Sequence, residues 1–309
     1  MSSCSPTPPS DHERNVGQAL APSPSASDSP DDGVTERQLS IYGTRKATLI
    51  LHIIVVGCGI GGLSAAICLL QAGHRVTIVE SSPIILTIGA GITLGPNSSR
   101  LLRRWGLADQ LEKIAIKPEG VSIRRYSTGE RIGFAKWDGV LEREYGAPAY
   151  QIHRADLHKI LYDAVAPHIT LLLDSTVVGC DPDPVFPSVT LKSGEVLKAD
   201  LIIGADGLKS YMQQVVSGEP NPAEPTGDAA YRATIPSSLL MQDPELREFI
   251  EHPQLTSWLG PGRHLVTYPI VCSIYHTFIL FSHPENKNAL FLRVATCLIL
   301  FYCTRTKGQ

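Results

Sequence analysis

The hexapeptide Gly57-Cys58-Gly59-Ile60-Gly61-Gly62 stands between the apolar run Leu51-His52-Ile53-Ile54-Val55-Val56 and a segment where Leu63, Ile67 and Leu70 recur at helical spacing. A short apolar run rich in β-branched residues reads as a buried parallel strand, and the spacing after it predicts an amphipathic helix. Gly73 stands where a C-cap glycine ends such a helix. Val76-Thr77-Ile78-Val79 then predicts a second strand, ending in Glu80. Strand, glycine loop, helix, strand and acidic end in this order leave the chain few ways to fold. Gly57 permits the tight strand-to-helix turn, Gly59 lets backbone approach a diphosphate, and Gly62 lets the helix pack closely on the sheet. Phosphates are favoured at the helix N-terminus by free N–H groups and the macrodipole. Glu80, about 20 residues beyond the glycines, is placed to hold a ribose hydroxyl.

With 309 residues the chain is long enough for one large or two smaller domains. Its net charge of −3, from 27 basic and 30 acidic residues, gives no reason to expect nucleic acid or an anionic membrane as partner. Seven scattered cysteines form no C-x-x-C pair, which reads as free thiols in a reducing, cytoplasmic setting. Cys58, inside the glycine loop, reads as a small filler without a redox partner. No basic start followed by an apolar core opens the chain, so no secretory signal is expected. Residues 1–47, rich in Ser, Pro and Asp, cannot bury enough apolar surface to offset their ordering entropy and are expected to be a disordered tail.

Past the first unit, Ile88-Gly89-Ala90-Gly91-Ile92 leads into Pro96-Asn97-Ser98 and a helical stretch around Leu101, Leu102 and Trp105. Small residues here fit close approach of backbone to a bulky group, or equally a plain turn before a helix. Residues 121–135 alternate around Ser127-Thr128-Gly129-Glu130, and a second hairpin is predicted around Lys192-Ser193-Gly194-Glu195. Arg154-Ala155-Asp156-Leu157 opens a helix, Ile169–Leu173 reads as a strand, and Leu201-Ile202-Ile203 runs into Gly204-Ala205-Asp206-Gly207. Antiparallel hairpins interrupting a parallel sheet predict an α/β chain with a second domain inserted into the first. His153, Asp156 and His158 lie close together, but the two histidines are not at the i, i+4 spacing of a helical zinc pair. No metal site is expected, and these residues read as structural or surface positions.

The glycine loop with Glu80, then Arg154-Ala155-Asp156-Leu157, then Gly204-Ala205-Asp206-Gly207 together resemble the FAD-dependent aromatic hydroxylases of the p-hydroxybenzoate hydroxylase type. Among these the chain is most similar to fungal salicylate-hydroxylase-like monooxygenases, many of secondary metabolism, from about residue 50 to about residue 270. The resemblance implies a Rossmann-like FAD-binding domain over 48–120 and 150–218. An interleaved β-sheet substrate domain is implied over 121–149 and 219–270. It implies that Gly57, Gly59, Gly62, Glu80, Ala90, Gly91, Arg154, Asp206 and Gly207 bind FAD. Arg154 would reach the diphosphate, and Ala90 and Gly91 would lie along the flavin. Arg232 and Tyr268 match positions that bind and activate a phenol, an arginine stabilising the phenolate and a tyrosine orienting or deprotonating it. By the same resemblance NADPH or NADH reduces the flavin, O2 adds to give a C4a-hydroperoxide, and an aromatic or polyketide-like molecule is hydroxylated.

Departures from the family pattern are equally specific. Gly227-Asp228-Ala229-Ala230 follows Asp206 too closely to be the third FAD motif and instead resembles the entry strand of the substrate domain, with Tyr231-Arg232. Gln213 stands where many relatives carry an arginine. After about Ile270 the resemblance fails, and residues 271–309 read as an aberrant apolar tail from a truncated or misread coding sequence. The uninterrupted run Val294–Cys303 is shorter than the ~20 residues a membrane span needs, so no anchor is expected. The alternatives left open are an inactive flavin-binding remnant, or a flavin epoxidase or dehydrogenase on the same fold.

Overall fold

The computed structural model describes residues 46–85, 89–183, 185–220, 222, 224, 227–270, 274–282, 291–294 and 297–300. Most of the expected N-terminal tail, and much of the segment 271–309, lie outside the described residues. Two compact units are present, Met1–Gly89 with Ala155–Pro222 and Ala90–Arg154 with Ala223–Gln309.

The first unit is built on four parallel strands, in the spatial order Leu201–Gly204, His52–Val56, Arg75–Val79, Ile169–Leu172. Ile53, Ile54 and Val55 are almost fully buried, as a central strand covered on both faces must be. The helix Ile60–Ala72 follows the first strand and buries Leu63, Ala66 and Ile67. Gly73 ends it in the left-handed region at φ +95°, with His74 N–H reaching back to the Leu69 carbonyl at 3.0 Å. Beyond it in sequence, the helix Arg154–Val165 buries Leu157, Leu161 and Val165. A three-stranded antiparallel sheet of Val177–Asp181, Ser188–Leu191 and Val196–Lys198 supplies Val189 and Leu191 to a core with Ile54, Val56, Val79 and Met212. The predicted hairpin around Gly194 is therefore part of this layer.

A six-stranded sheet dominates the second unit, in the order Ala229–Pro236, Tyr275–Ser282, Arg263–Ile270, Leu255–Gly260, Gly120–Arg125, Arg131–Lys136. All neighbours are antiparallel except Leu255–Gly260 beside Gly120–Arg125. One face carries Leu265, Phe278, Leu280 and Trp258, packed with Leu240, Leu246 and Phe249 of the short helices Ser237–Leu240 and Pro244–Glu251. Phe249 meets Trp258 edge to face at 5.4 Å, a favoured aromatic geometry. The short strands Gly91–Leu94 and Tyr150–His153 pair as an antiparallel ribbon in the same unit. Sequence reasoning set the division at residues 120 and 150. Here the whole of 90–154 groups with the six-stranded sheet, because the ribbon's Gly91 packs against Tyr268, Thr277 and Ile270. Strand Tyr275–Ser282 lies past residue 270, yet it is paired on both sides along all eight residues. Farther on, Phe291–Val294 and Cys297–Leu300 form a two-stranded antiparallel ribbon. No helix among the described residues is long and apolar enough to cross a membrane.

Candidate functional site

Three loops leave the same edge of the parallel sheet. Gly57 N–H donates to the Val79 carbonyl at 2.8 Å, Glu80 N–H to Leu172 at 2.8 Å, and Ala205 N–H to Val56 at 2.8 Å. These bonds pin the start of the glycine loop, the acidic residue and the Asp206 segment together at the C-terminal strand ends, where open α/β sheets bind ligands. Gly57 has φ +107°, and a Cβ there would overlap the Ala205 carbonyl oxygen. A Cβ on Gly62 would overlap the Gly57 carbonyl oxygen, so Gly62 is required by the loop itself as much as by helix packing. Gly59 and Gly61 behave oppositely: a Cβ on either meets nothing within 4 Å.

That contrast bears on whether a dinucleotide fits. The helix Ile60–Ala72 begins at Gly59 without a side-chain cap, so its first amides have no acceptor from a capping residue. The first turn is open on its outer surface and carries no acidic residue. An anionic diphosphate suits both properties, and the residues present fit FAD there.

Glu80 is partly exposed, and its Oε2 accepts the Cys58 N–H at 2.8 Å. Oε1 accepts the Ser82 N–H at 2.9 Å and the Ser81 hydroxyl at 3.2 Å. Carboxylate oxygens take about two hydrogen bonds each, so capacity for a ribose hydroxyl remains. Burial, reinforced by the Glu80 charge, pushes the Cys58 thiol up to about 12, so it is a filler rather than a nucleophile. Asp206 accepts the Ser210 hydroxyl at 2.5 Å through Oδ1 and the Met212 N–H at 3.0 Å through Oδ2. It thus braces the start of helix Tyr211–Ser217, while Gly207 beside it takes φ +78°.

The second unit holds Ala90, Gly91, Arg154, Arg232 and Tyr268. Arg154 N–H donates to the Ala90 carbonyl at 3.0 Å, and Gly91 lies opposite His153, so these residues meet through the ribbon's backbone. The Arg154 side chain is exposed. Gly91 admits no side chain: a Cβ would lie 2.6 Å from the Tyr268 ring and 2.7 Å from the Thr277 hydroxyl. Tyr268 pairs with Thr277 across the sheet and Arg232 with Ile279, so strand alternation puts all four on the face opposite the Phe278 core. Tyr268 is only 4% exposed, whereas Arg232 is exposed. Burial pushes the Tyr268 phenol up to about 12, opposed in part by the Arg232 charge. A phenol so shifted is an O–H donor across the neutral range rather than a base.

Two side chains that contact the backbone of the candidate residues were not legible as such in the sequence. His158, read above as structural or surface, is buried with Nε2 2.7 Å from the Cys58 carbonyl oxygen of the glycine loop. Thr277, fully buried, accepts the Gly91 N–H at 3.2 Å. Helical spacing from Arg154 and strand alternation with Tyr268 were the only signals for them. An open cleft of about 600 Å³ between Arg100, Arg103, Arg104, Tyr145 and Gly146 shares no lining residue with the candidates.

Comparison with known proteins bears on both units. Residues 51–277 match the FAD binding domain family. The chain is 37% identical over 224 residues to FAD-dependent monooxygenase OpS4 of Beauveria bassiana, covering 71% of this chain and 52% of that protein. It is 34% identical over 221 residues to 3-amino-4-hydroxybenzoate 2-monooxygenase of Streptomyces cremeus, covering 71% and 54%. Klebsiella pneumoniae HpxO, crystallised with FAD and uric acid, shares the fold with a TM-score of 0.66 at 23% identity, covering 77% of this chain and 58% of that one. The chain spans about half the length of the curated relatives it matches. The chain belongs to the FAD binding domain family, and it is similar to these FAD-dependent monooxygenases.

Proposed function

We propose that the chain carries the FAD-binding core of an NADPH- or NADH-consuming monooxygenase that hydroxylates an aromatic or polyketide-like small molecule in secondary metabolism. The observation that carries this reading is the glycine loop. Gly57 and Gly62 are closed by backbone, Gly59 and Gly61 are open, and the uncapped helix start lies beside Glu80. Amides of the loop would take the diphosphate, Glu80 the ribose and Arg154 a phosphate oxygen through its planar fork of donors. Asp206 and Gly207 would border the nucleotide, and Ala90 and Gly91 the flavin. When bound, the reduced flavin activates O2 so that one oxygen atom reaches the substrate ring. Arg232 would hold an ionised phenol, and Tyr268, protonated, would donate to its oxygen and fix its orientation. A tyrosine with a phenol near 12 does not deprotonate substrate at neutral pH, so orienting is the role supported here.

Purified protein should be yellow, or take up added FAD, and should oxidise NADPH or NADH faster when a phenolic substrate is added. A colourless protein that takes up no FAD refutes the reading. Flavin reduction without oxygenated product points instead to a reductase or dehydrogenase. Arg232→Ala should abolish hydroxylation with flavin absorbance intact; loss of the flavin would show its role is misassigned.

A further inference from the structure

We propose that His158 is a positioning residue that holds the glycine loop in its diphosphate-accepting orientation. This rests on the FAD-binding reading above. His158 is 6% exposed, and its Nε2 lies 2.7 Å from the Cys58 carbonyl oxygen. A carbonyl only accepts, so Nε2 carries the proton of this bond. The Cys58–Gly59 peptide is planar and trans, as no cis bonds are present. Its carbonyl and the Gly59 N–H therefore point in opposite directions. Fixing the carbonyl toward His158 turns the Gly59 N–H away from it, at the residue whose outer side is open.

The preceding peptide is fixed too. Glu80 Oε2 accepts the Cys58 N–H at 2.8 Å, and Gly57 N–H is tied to Val79 at 2.8 Å. His158 and Glu80 thus grip Cys58 from its two polar groups. Glycines on both sides of Cys58 make this peptide free to rotate in the chain's local sequence. Without the imidazole, the Cys58–Gly59 plane is free to turn. A turned plane would present a carbonyl oxygen, not an N–H, to an anion, and a diphosphate would be repelled where it should be bound.

The test uses His158→Phe, which removes the donor, and His158→Gln, which keeps an N–H at the end of a side chain of similar reach. FAD and ADP affinities are measured by flavin fluorescence and competition, adenosine serves as the phosphate-free probe, and apoprotein Tm is recorded for each variant. The expected result is at least a tenfold weaker Kd of His158→Phe for FAD and for ADP. Adenosine affinity should be unchanged, and His158→Gln, which keeps the hydrogen bond that His158→Phe loses, should lie within about threefold of the parent. Equal affinity of His158→Phe and parent overturns the proposal while leaving the cofactor reading intact. Equal losses for ADP and adenosine, or no rescue by glutamine, overturn it in favour of a merely structural histidine. Failure of the parent itself to bind FAD or ADP refutes the cofactor reading and this proposal together.

Discussion

The sharpest consequence of the loop geometry is that two glycines two residues apart should fail in different ways. In Gly57→Ala the new residue must hold φ +107° and its Cβ must displace the Ala205 carbonyl oxygen. Forcing a non-glycine residue into such backbone costs roughly 1–3 kcal/mol. Overpacking against fixed atoms costs roughly another 1–3 kcal/mol. The obstructing atom is backbone, and Ala205 N–H is bonded to Val56 at 2.8 Å, so it cannot swing aside without breaking the sheet edge. We therefore expect about 4 kcal/mol of lost stability, or a Tm lower by roughly 8–16 °C for a unit of this size class. In Gly59→Ala the backbone, at φ −77° and ψ −177°, suits any residue, and the Cβ meets nothing within 4 Å. Its structural cost is that of a poorer N-cap, under about 1 kcal/mol. What it does instead is put a methyl group where the diphosphate must approach, so FAD affinity should fall at least tenfold. Denaturant unfolding of the apoproteins and flavin fluorescence titration separate the two effects. A Gly59→Ala protein with parental FAD affinity would refute the placement of the diphosphate over that residue. A Gly57→Ala protein as stable as the parent would refute the steric argument.

Three further outcomes follow from individual side chains. His276 is 1% exposed, and its burial holds the imidazole down at about 4, below the ordinary 6.5. Its folded pKa is the lower one, so its contribution is present above pH 6.5 and is lost as pH falls through about 4. The shift corresponds to about 3 kcal/mol; urea unfolding at pH 7 and pH 4 should show a drop that His276→Phe reduces, and an equal drop in both proteins would contradict the assignment. Under the proposed function, Tyr268→Phe should bind FAD as the parent does and hydroxylate about 10²-fold more slowly, one donor being lost. The parent's rate should also show no alkaline break near pH 10 that the variant lacks, such a break being the sign that the phenol is not held near 12. Asp206→Ala removes acceptors for Ser210 and Met212 and should cost about 1–3 kcal/mol by leaving them unpaired; unchanged unfolding would mean the bracing is immaterial.

Legibility in the sequence followed the range over which each residue acts. The strand–loop–helix–strand unit could be read because its causes are local. Apolar runs set the strands, spacing sets the helix, and positive-φ glycines must be glycines at Gly57 and Gly73. Both hairpins were legible for the same reason, with Gly129 and Gly194 at their turns in the positive-φ region. What could not be read was pairing at long range. Nothing near residue 91 says that it will pack against Tyr268 and Thr277, nearly the length of a domain away, so the ribbon's membership of the second unit stayed hidden. Strand Tyr275–Ser282 was obscured in another way. The sequence reading ended the resemblance at about residue 270, whereas the family match runs on to residue 277, and pairing on both sides identifies the segment as an interior strand of the sheet.

His158 shows the limit most clearly, and it also says what kind of residue is missed. Its neighbours in sequence gave a metal-like cluster at the wrong spacing, and on that ground it was set aside. Its actual partner is a main-chain carbonyl a hundred residues earlier, an atom with no signature in any sequence. Motifs name the groups that touch a ligand, because chemistry restricts their identity. Groups that aim the backbone are restricted only by geometry, since any donor of the right reach can serve. The glycine loop is thus specified twice, by glycines that give it freedom and by side chains such as His158 and Glu80 that remove the freedom again. Only the first half of that specification is written contiguously in the chain.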